Sequence, residues 1–190
     1  MKNLKTIAFA LVMALGTTIG ATAQDKKINT SKSKIEWVGK KVTGQHSGKI
    51  SFKDGVLKFS NGKLVGGNFT VDMRSITVTD LKAGEGKEKL EGHLKADDFF
   101  GVQEYATSTL VFTSVKAKGR DTYAVKANLT IKGITEPVSF NLTVLKNSAT
   151  TMFEIDRTKY GIEYSSGSFF DGLGDKMIYD DFELTVKLQY

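Results

Sequence analysis

Gly92-His93-Leu94-Lys95-Ala96-Asp97-Asp98-Phe99-Phe100 sets a charged run against a pair of aromatic rings. Three alternating segments follow it: Thr107–Val115, Tyr123–Ile131 and Val138–Val144. Ser108, Leu110 and Phe112 fall on one face of the first. Tyr123, Val125, Ala127, Leu129 and Ile131 share a face of the second, and Val138, Phe140, Leu142 and Val144 a face of the third. Side chains alternate across a strand, so each segment carries one apolar and one wet face. Lys132-Gly133-Ile134-Thr135-Glu136-Pro137 joins the last two. A short polar-aromatic block inserted into such a meander reads as a lid or rim over an apolar interior. That arrangement suits a container better than a machine for making bonds.

The same pattern extends outward in both directions. Lys34–Val42 puts Ile35 and Trp37 on one face, and His46–Phe52 puts Ile50 with Phe52. Val56–Phe59, Lys63–Met73, Thr151–Arg157 and Asp181–Tyr190 are further strands. Asp54-Gly55 and Asn61-Gly62 each have the chemistry of a two-residue hairpin turn, which needs positive φ at both positions. With 19 Gly and a single proline, Pro137, among many β-branched and aromatic residues, the chain reads as all-β. Leu90 and Leu94 stand four apart among Lys87, Glu88, Lys89, Glu91 and Lys95, which predicts one short amphipathic helix. Eight or nine antiparallel strands with this insertion predict a barrel, since about eight strands close around one small ligand. A sandwich has the same alternation, so closure is an expectation for the structure to decide.

The start of the chain reads differently. Met1-Lys2-Asn3-Leu4-Lys5 is basic, Thr6 to Ala21 is mostly small and apolar, and Ala21-Thr22-Ala23 fits an A-x-A cleavage site. This predicts a signal peptide over 1–23, one domain over 24–190, and a periplasmic destination. The apolar run falls short of the roughly 20 residues a spanning helix needs. Cysteine is absent, so a secreted domain must be held by its core rather than by bridges. The formal net charge is +6, and losing Lys2 and Lys5 with the leader lowers it by two. Mild basicity is compatible with transient contact at an anionic membrane surface. Scattered lysines point away from nucleic acid. The length suits one domain, as a monomer or a homodimer.

Several blocks resemble the YceI-like family. They are His93-Leu94-Lys95-Ala96-Asp97-Asp98-Phe99-Phe100, Tyr105-Ala106-Thr107, Phe112-Thr113-Ser114 and Leu129-Thr130-Ile131-Lys132-Gly133-Ile134-Thr135-Glu136-Pro137-Val138. Gly48-Lys49-Ile50-Ser51-Phe52 and Asp156-Arg157-Thr158-Lys159-Tyr160-Gly161-Ile162 also look like family positions. Ala106 stands where the family usually has proline. The resemblance implies a secreted or periplasmic, lipocalin-like antiparallel β-barrel of about eight strands with a short inserted helix. It also implies a hydrophobic tunnel for isoprenoids or other long lipids, without fixing one ligand.

The candidate tunnel wall follows from alternation. Trp37, Phe69, Leu110 and Phe112 lie on apolar strand faces, as do Leu129, Phe140 and Phe153. Phe99 and Phe100 of the inserted block join them, and Phe170 of the Gly161–Lys176 loop is read with Phe169 as a gate. His93 is a candidate hydrogen-bond donor to a lipid head group, against the plainer role of anchoring the helix. Arg157 follows Ile155 by two and is expected inside. There its planar fork suits a phosphate or carboxylate head group, or an internal pair with Asp72, Asp97 or Asp171. His46 and His93 lack the spacing of a zinc site, and Asp171 and Asp175 lack a calcium-loop register. No metal and no cofactor is expected.

Three functions are weighed. A carrier or sequestering protein for a long-chain lipid fits the leader, the barrel and the family blocks. A lipid hydrolase needs a nucleophile with an acid–base partner, and Ser165, Ser166 and Ser168 have no evident His–Asp support. No catalytic residue is assigned. A non-catalytic partner protein, related to stress or to a membrane system, fits a barrel whose interior is filled by its own side chains.

Overall fold

The structure is a computed structural model that describes residues 23–190. The expected leader, residues 1–22 of it, lies outside the described residues. The strands are β1 (Ala23–Lys27), β2 (Lys34–Lys41), β3 (Gly44–Ser60), β4 (Lys63–Val78), β5 (Thr107–Ala117), β6 (Thr122–Ile131), β7 (Ile134–Val144), β8 (Ser148–Asp156) and β9 (Ile178–Gln189). Helix α1 (Lys87–Lys95) sits between β4 and β5.

Neighbouring strands run in the order β1-β3-β2-β9-β8-β7-β6-β5-β4, and pairing of β3 with β4 closes the ring. Closure over β2–β9 gives the eight-stranded antiparallel barrel and excludes the sandwich. The long strand β3 serves two partners along one edge. Its first part pairs with β2, Ile50 opposite Ile35, and its last part with β1, Phe59 opposite Gln24. The sequence reading contains no β1, because Ala23-Gln24-Asp25-Lys26-Lys27 has no apolar alternation. Its backbone is recruited by the free edge of β3.

Asp54-Gly55 is not a turn. It lies inside β3, at a register shift between Phe52 and Asp54. A Cβ on Gly55 would stand 2.5 Å from Phe69 Cδ1 and 2.9 Å from Ile28 Cδ1. The glycine is there because side chains cross its backbone, not because the chain reverses. Asn61-Gly62 is a turn, with φ of 49° and 75°, and Lys132-Gly133 is a second, with 49° and 74°. The second turn is tighter than the sequence suggests: β7 resumes at Ile134 and carries Pro137 within it.

Two apolar clusters line the barrel from end to end. One gathers Phe52, Leu57, Phe69, Phe140 and Leu142. The other gathers Trp37, Met73, Leu94, Phe99, Phe100 and Ile155 at the helix end. Helix α1 reaches that end by its Leu94, which is buried, and by the half-buried Leu90, while Glu88, Lys89 and Gly92 face out. Glu91 pins it down, accepting Thr77 Oγ1 at 2.6 Å and the Val78 N–H at 2.8 Å.

Candidate functional site

Two hollows lie one after the other inside the barrel. The upper one, about 140 Å³, is bounded by Trp37 of β2, Met73 and Ile76 of β4, Leu94 of α1, and Phe99 and Phe100. The lower one, about 70 Å³, is bounded by Phe69, Leu110, Phe112, Phe140 and Phe153. Ile35, Val71, Leu129 and Leu184 belong to both walls, so they form the waist between the hollows. Each comes from a different strand, and alternation turns each inward. The walls are overwhelmingly hydrocarbon. A barrel of eight strands is just wide enough for such a residual space.

The inserted block closes the upper end. Gly101 N–H donates to Ala96 O at 2.8 Å and Phe100 N–H to Leu94 O at 3.2 Å. These bonds fold the chain back after the helix and turn Phe99 and Phe100 into the barrel mouth. Their rings meet edge-on at 5.2 Å, and Phe100 meets Phe182 at 6.4 Å. At the far end Phe59 and Tyr190 meet at 6.0 Å beneath the Lys26 ammonium, which lies 5.0 and 4.9 Å from their centroids.

Nine of the ten residues read as tunnel wall from the sequence bound one hollow or the other. Phe170 does not. It stands half exposed at 50 %, as does Phe169 at 51 %. Both backbone N–H groups bond to Ser166 O, so residues 166–170 make a tight turn. The buried anchor of that turn is Ser166, and the two rings follow the turn outward. The wall residues that the sequence reading did not single out are aliphatic: Ile35, Val71, Met73 and Leu184. Their signal, alternation, was present, but it does not separate a cavity wall from ordinary core.

His93 is also outside both hollows. Nε2 lies 3.1 Å from Asp98 Oδ2, and the ring stands edge-on to Phe99 at 5.6 Å and Tyr164 at 4.4 Å. It directly precedes Leu94, and that single helical step turns it roughly 100° away from the interior. Its contacts with Asp98, Phe99 and Tyr164 hold the helix end against the neighbouring loop.

Arg157 is inside, 2 % exposed, at the edge of the upper hollow. It begins a 3₁₀ turn, Arg157–Tyr160, directly after β8. Nη1 donates to Ile162 O at 2.7 Å, Nε to Tyr179 O at 3.2 Å and Nη2 to Ile178 O at 3.1 Å. Its carboxylate is Asp180, at 3.4 Å from Nη2, rather than Asp72, Asp97 or Asp171. Burial pulls the guanidinium pKa below its ordinary value, against Asp180 and Asp156. Partial burial works to raise the Asp180 carboxyl; hydrogen bonds from Ser166 and Ser168, with Arg157, overcome it and hold it low. The fork therefore grips both ends of the Gly161–Lys176 loop. That loop is anchored: Tyr160, Ile162 and Ser166 beside or within it are fully buried. Burial first, then Glu136 and Asp156, pushes the Tyr160 hydroxyl up to about 12. Among the described residues, no three His, Asp or Glu side chains converge as a metal site would require.

Residues 27–190 match the family model of the YceI-like domain. The chain belongs to the YceI-like family. A UPF0312 protein of Azotobacter vinelandii is 31% identical over 85 residues, 45% of this chain and 42% of that protein. A UPF0312 protein of Pseudomonas putida is 31% identical over 90 residues, 47% of this chain and 44% of its own length. These matches span less than half of either relative. Burkholderia cenocepacia BcnA superposes with a TM-score of 0.68 at 23% identity, over 85% of this chain and 98% of BcnA. A polyisoprenoid binding domain from Saccharophagus degradans superposes with a TM-score of 0.57 at 15% identity, over 86% and 97%. At these identities the likeness is one of fold. The barrel fold is common to all three.

Proposed function

We propose that this YceI-like protein binds a long aliphatic lipid, of isoprenoid type, along the barrel axis, and carries or sequesters it in the periplasm. The observation that carries the reading is the run of two hydrocarbon-walled hollows sharing one waist. A structural neighbour described as a polyisoprenoid binding domain supports the ligand class. Export is supported by the basic, apolar and A-x-A pattern of 1–23. Cleavage after Ala23 would leave Gln24–Lys27 paired with Val56–Phe59.

Burial supplies the driving force, at about 0.8 kcal/mol per methylene. The resting size limits the guest. An apolar cavity near 150 Å³ is about large enough for benzene, and the upper hollow is of that order. A chain of several isoprene units fits when the waist side chains swing aside and the hollows join. Arg157 is engaged by carbonyls and Asp180, which leaves the buried Trp37 Nε1–H, a single neutral donor, as an unpartnered polar group in the wall of the upper hollow. The reading therefore favours ligands chosen by chain shape.

The test is solvent extraction of protein purified from its native compartment, with mass spectrometry of the extract. Recovery of a long-chain lipid in near-stoichiometric amount is the expected result. An empty extract, together with no uptake of geranylgeraniol or of long-chain amides by the purified protein, would overturn the proposal.

A further inference from the structure

The joint between β7 and β8 is the shortest in the barrel wall. Thr143 opposite Thr150 and Val144 opposite Ala149 complete its ladder. On its far side β7 pairs with β6 all the way from Thr143 to Ile134, and β8 pairs with β9 from Ser148 to Asp156. Ile134–Leu142 and Thr151–Asp156 therefore face each other without a backbone ladder. Thr151 Oγ1, which donates to Asn141 O at 2.8 Å, spans the start of the gap. The 3₁₀ turn Arg157–Tyr160 packs on β7 at its wide end.

Three observations give this wedge a purpose. Proline within a sheet is confined to free edges, strand starts and bulges, and the chain's single proline, Pro137, lies inside β7 on this unladdered stretch. Behind the wedge, Phe140 and Phe153 stack at 4.7 Å with planes 19° apart. Both rings bound the lower hollow, so the gap leads to it. In front of it Met152 is 62% and Ile134 40% exposed, set among the polar Ser139, Asn141 and Glu154. Closed barrels ordinarily leave no such edge.

We infer that the wedge between β7 and β8 is a side entrance through which an aliphatic chain reaches the interior, with the Phe140–Phe153 pair as its door. This inference rests on the lipid-binding reading. Opening here separates two rings and one side-chain hydrogen bond. Opening at the helix end breaks the Glu91 bonds to Thr77 and Val78 and lifts Leu94, Phe99 and Phe100 together. The wedge is the easier route, and it admits a chain of one-carbon width without unseating the helix.

Asn141 and Met152 face outward and fall opposite each other if the ladder register continues. The chain has no native cysteine, so the double variant Asn141→Cys with Met152→Cys forms one defined bridge. Stopped-flow fluorescence of cis-parinaric acid reads entry and release, after a non-reducing gel has established bridging. Entry and release about tenfold slower in the bridged form, restored by reductant, with affinity within about twofold, is the expected result. Phe153→Ala, measured without any bridge, is expected to speed both steps several-fold. Equal rates bridged and reduced, or unchanged rates in Phe153→Ala, overturn the entrance alone. Failure of the unmodified protein to take up the probe overturns the lipid reading and the entrance with it.

Discussion

Glu91 on α1 accepts the Val78 N–H at 2.8 Å, joining the helix that caps the barrel to the last residue of β4. The same carboxylate oxygen takes Thr77 Oγ1 at 2.6 Å. Helix α1 starts at Gly86 without a side-chain cap, so this side-chain anchor does what a terminal cap would do elsewhere. The mouth is thus closed by one buried leucine, two phenylalanines and one carboxylate.

Glu91→Ala should loosen that closure. Two charge-assisted bonds are lost, and the Val78 N–H is left without its acceptor, which costs about 1–3 kcal/mol. Urea denaturation reads the loss, and hydrogen exchange should rise over Lys87–Lys95 while the β6 amides stay protected. Unchanged exchange in the helix would show that Leu94 alone holds it.

The same contact sets an acid response. The Thr77 hydrogen bond first, then the Val78 N–H, and Lys87 more weakly, lower the Glu91 pKa from 4.5, against some burial. A carboxyl with a depressed folded pKa contributes stability that is present above its unfolded value and lost as pH falls through the folded one. The helix end should therefore stay closed at neutral pH and loosen only in acid, as pH falls through the lowered Glu91 pKa, below 4.5. Tyr164 fluorescence, beside His93 on the helix, should change over that window in the wild type. In Glu91→Gln the change should disappear.

Arg157→Met should release the Gly161–Lys176 loop. Three carbonyls, of Ile162, Ile178 and Tyr179, lose their donor, and Asp180 loses its cation. Removing a buried charge from its partners costs about 3–5 kcal/mol, and the lower half of that range is expected because Asp180 is partly solvated. Limited proteolysis should then cut between Gly161 and Lys176. Phe170→Ser, by contrast, removes a ring already half in solvent. It should change stability by less than about 0.5 kcal/mol and leave lipid uptake intact.

Much of the fold was legible in the chain because period-two alternation is a local signal. β5, β6 and β9 are where that alternation is cleanest, and each of those strands formed. The helix was legible from Leu90 and Leu94, and Arg157 from its place two residues after Ile155. Two of the failures share a cause: a partner far away in sequence. Asp54-Gly55 has turn chemistry, yet Phe69 and Ile28, brought across it by pairing, make it a bulge inside β3. β1 exists because β3 outruns β2. His93 and Phe170 were placed at the mouth by proximity in sequence to the right block. A single helical step and one tight turn at Ser166 put them outside. The wall itself was easier than the head-group site, since inward direction follows from alternation while hydrogen-bond partners such as Asp180 do not.

The waist offers the most direct check on how chain length is measured. Leu129 is buried at 8% and borders both hollows, with Val71, Ile35 and Leu184 around it. Leu129→Phe adds bulk at the narrowest point, where overpacking costs about 1–3 kcal/mol. A guest short enough to rest in the upper hollow should bind as before, because Trp37, Met73 and Leu94 are untouched. A guest long enough to span the waist is confined to one hollow, and each methylene denied burial removes about 0.8 kcal/mol. Titrating prenyl alcohols of increasing length should therefore give two curves that coincide for geraniol and separate for geranylgeraniol. In the wild type affinity should keep rising with length; in Leu129→Phe it should level off after the first few isoprene units. Parallel curves at every length would mean that the two hollows never join.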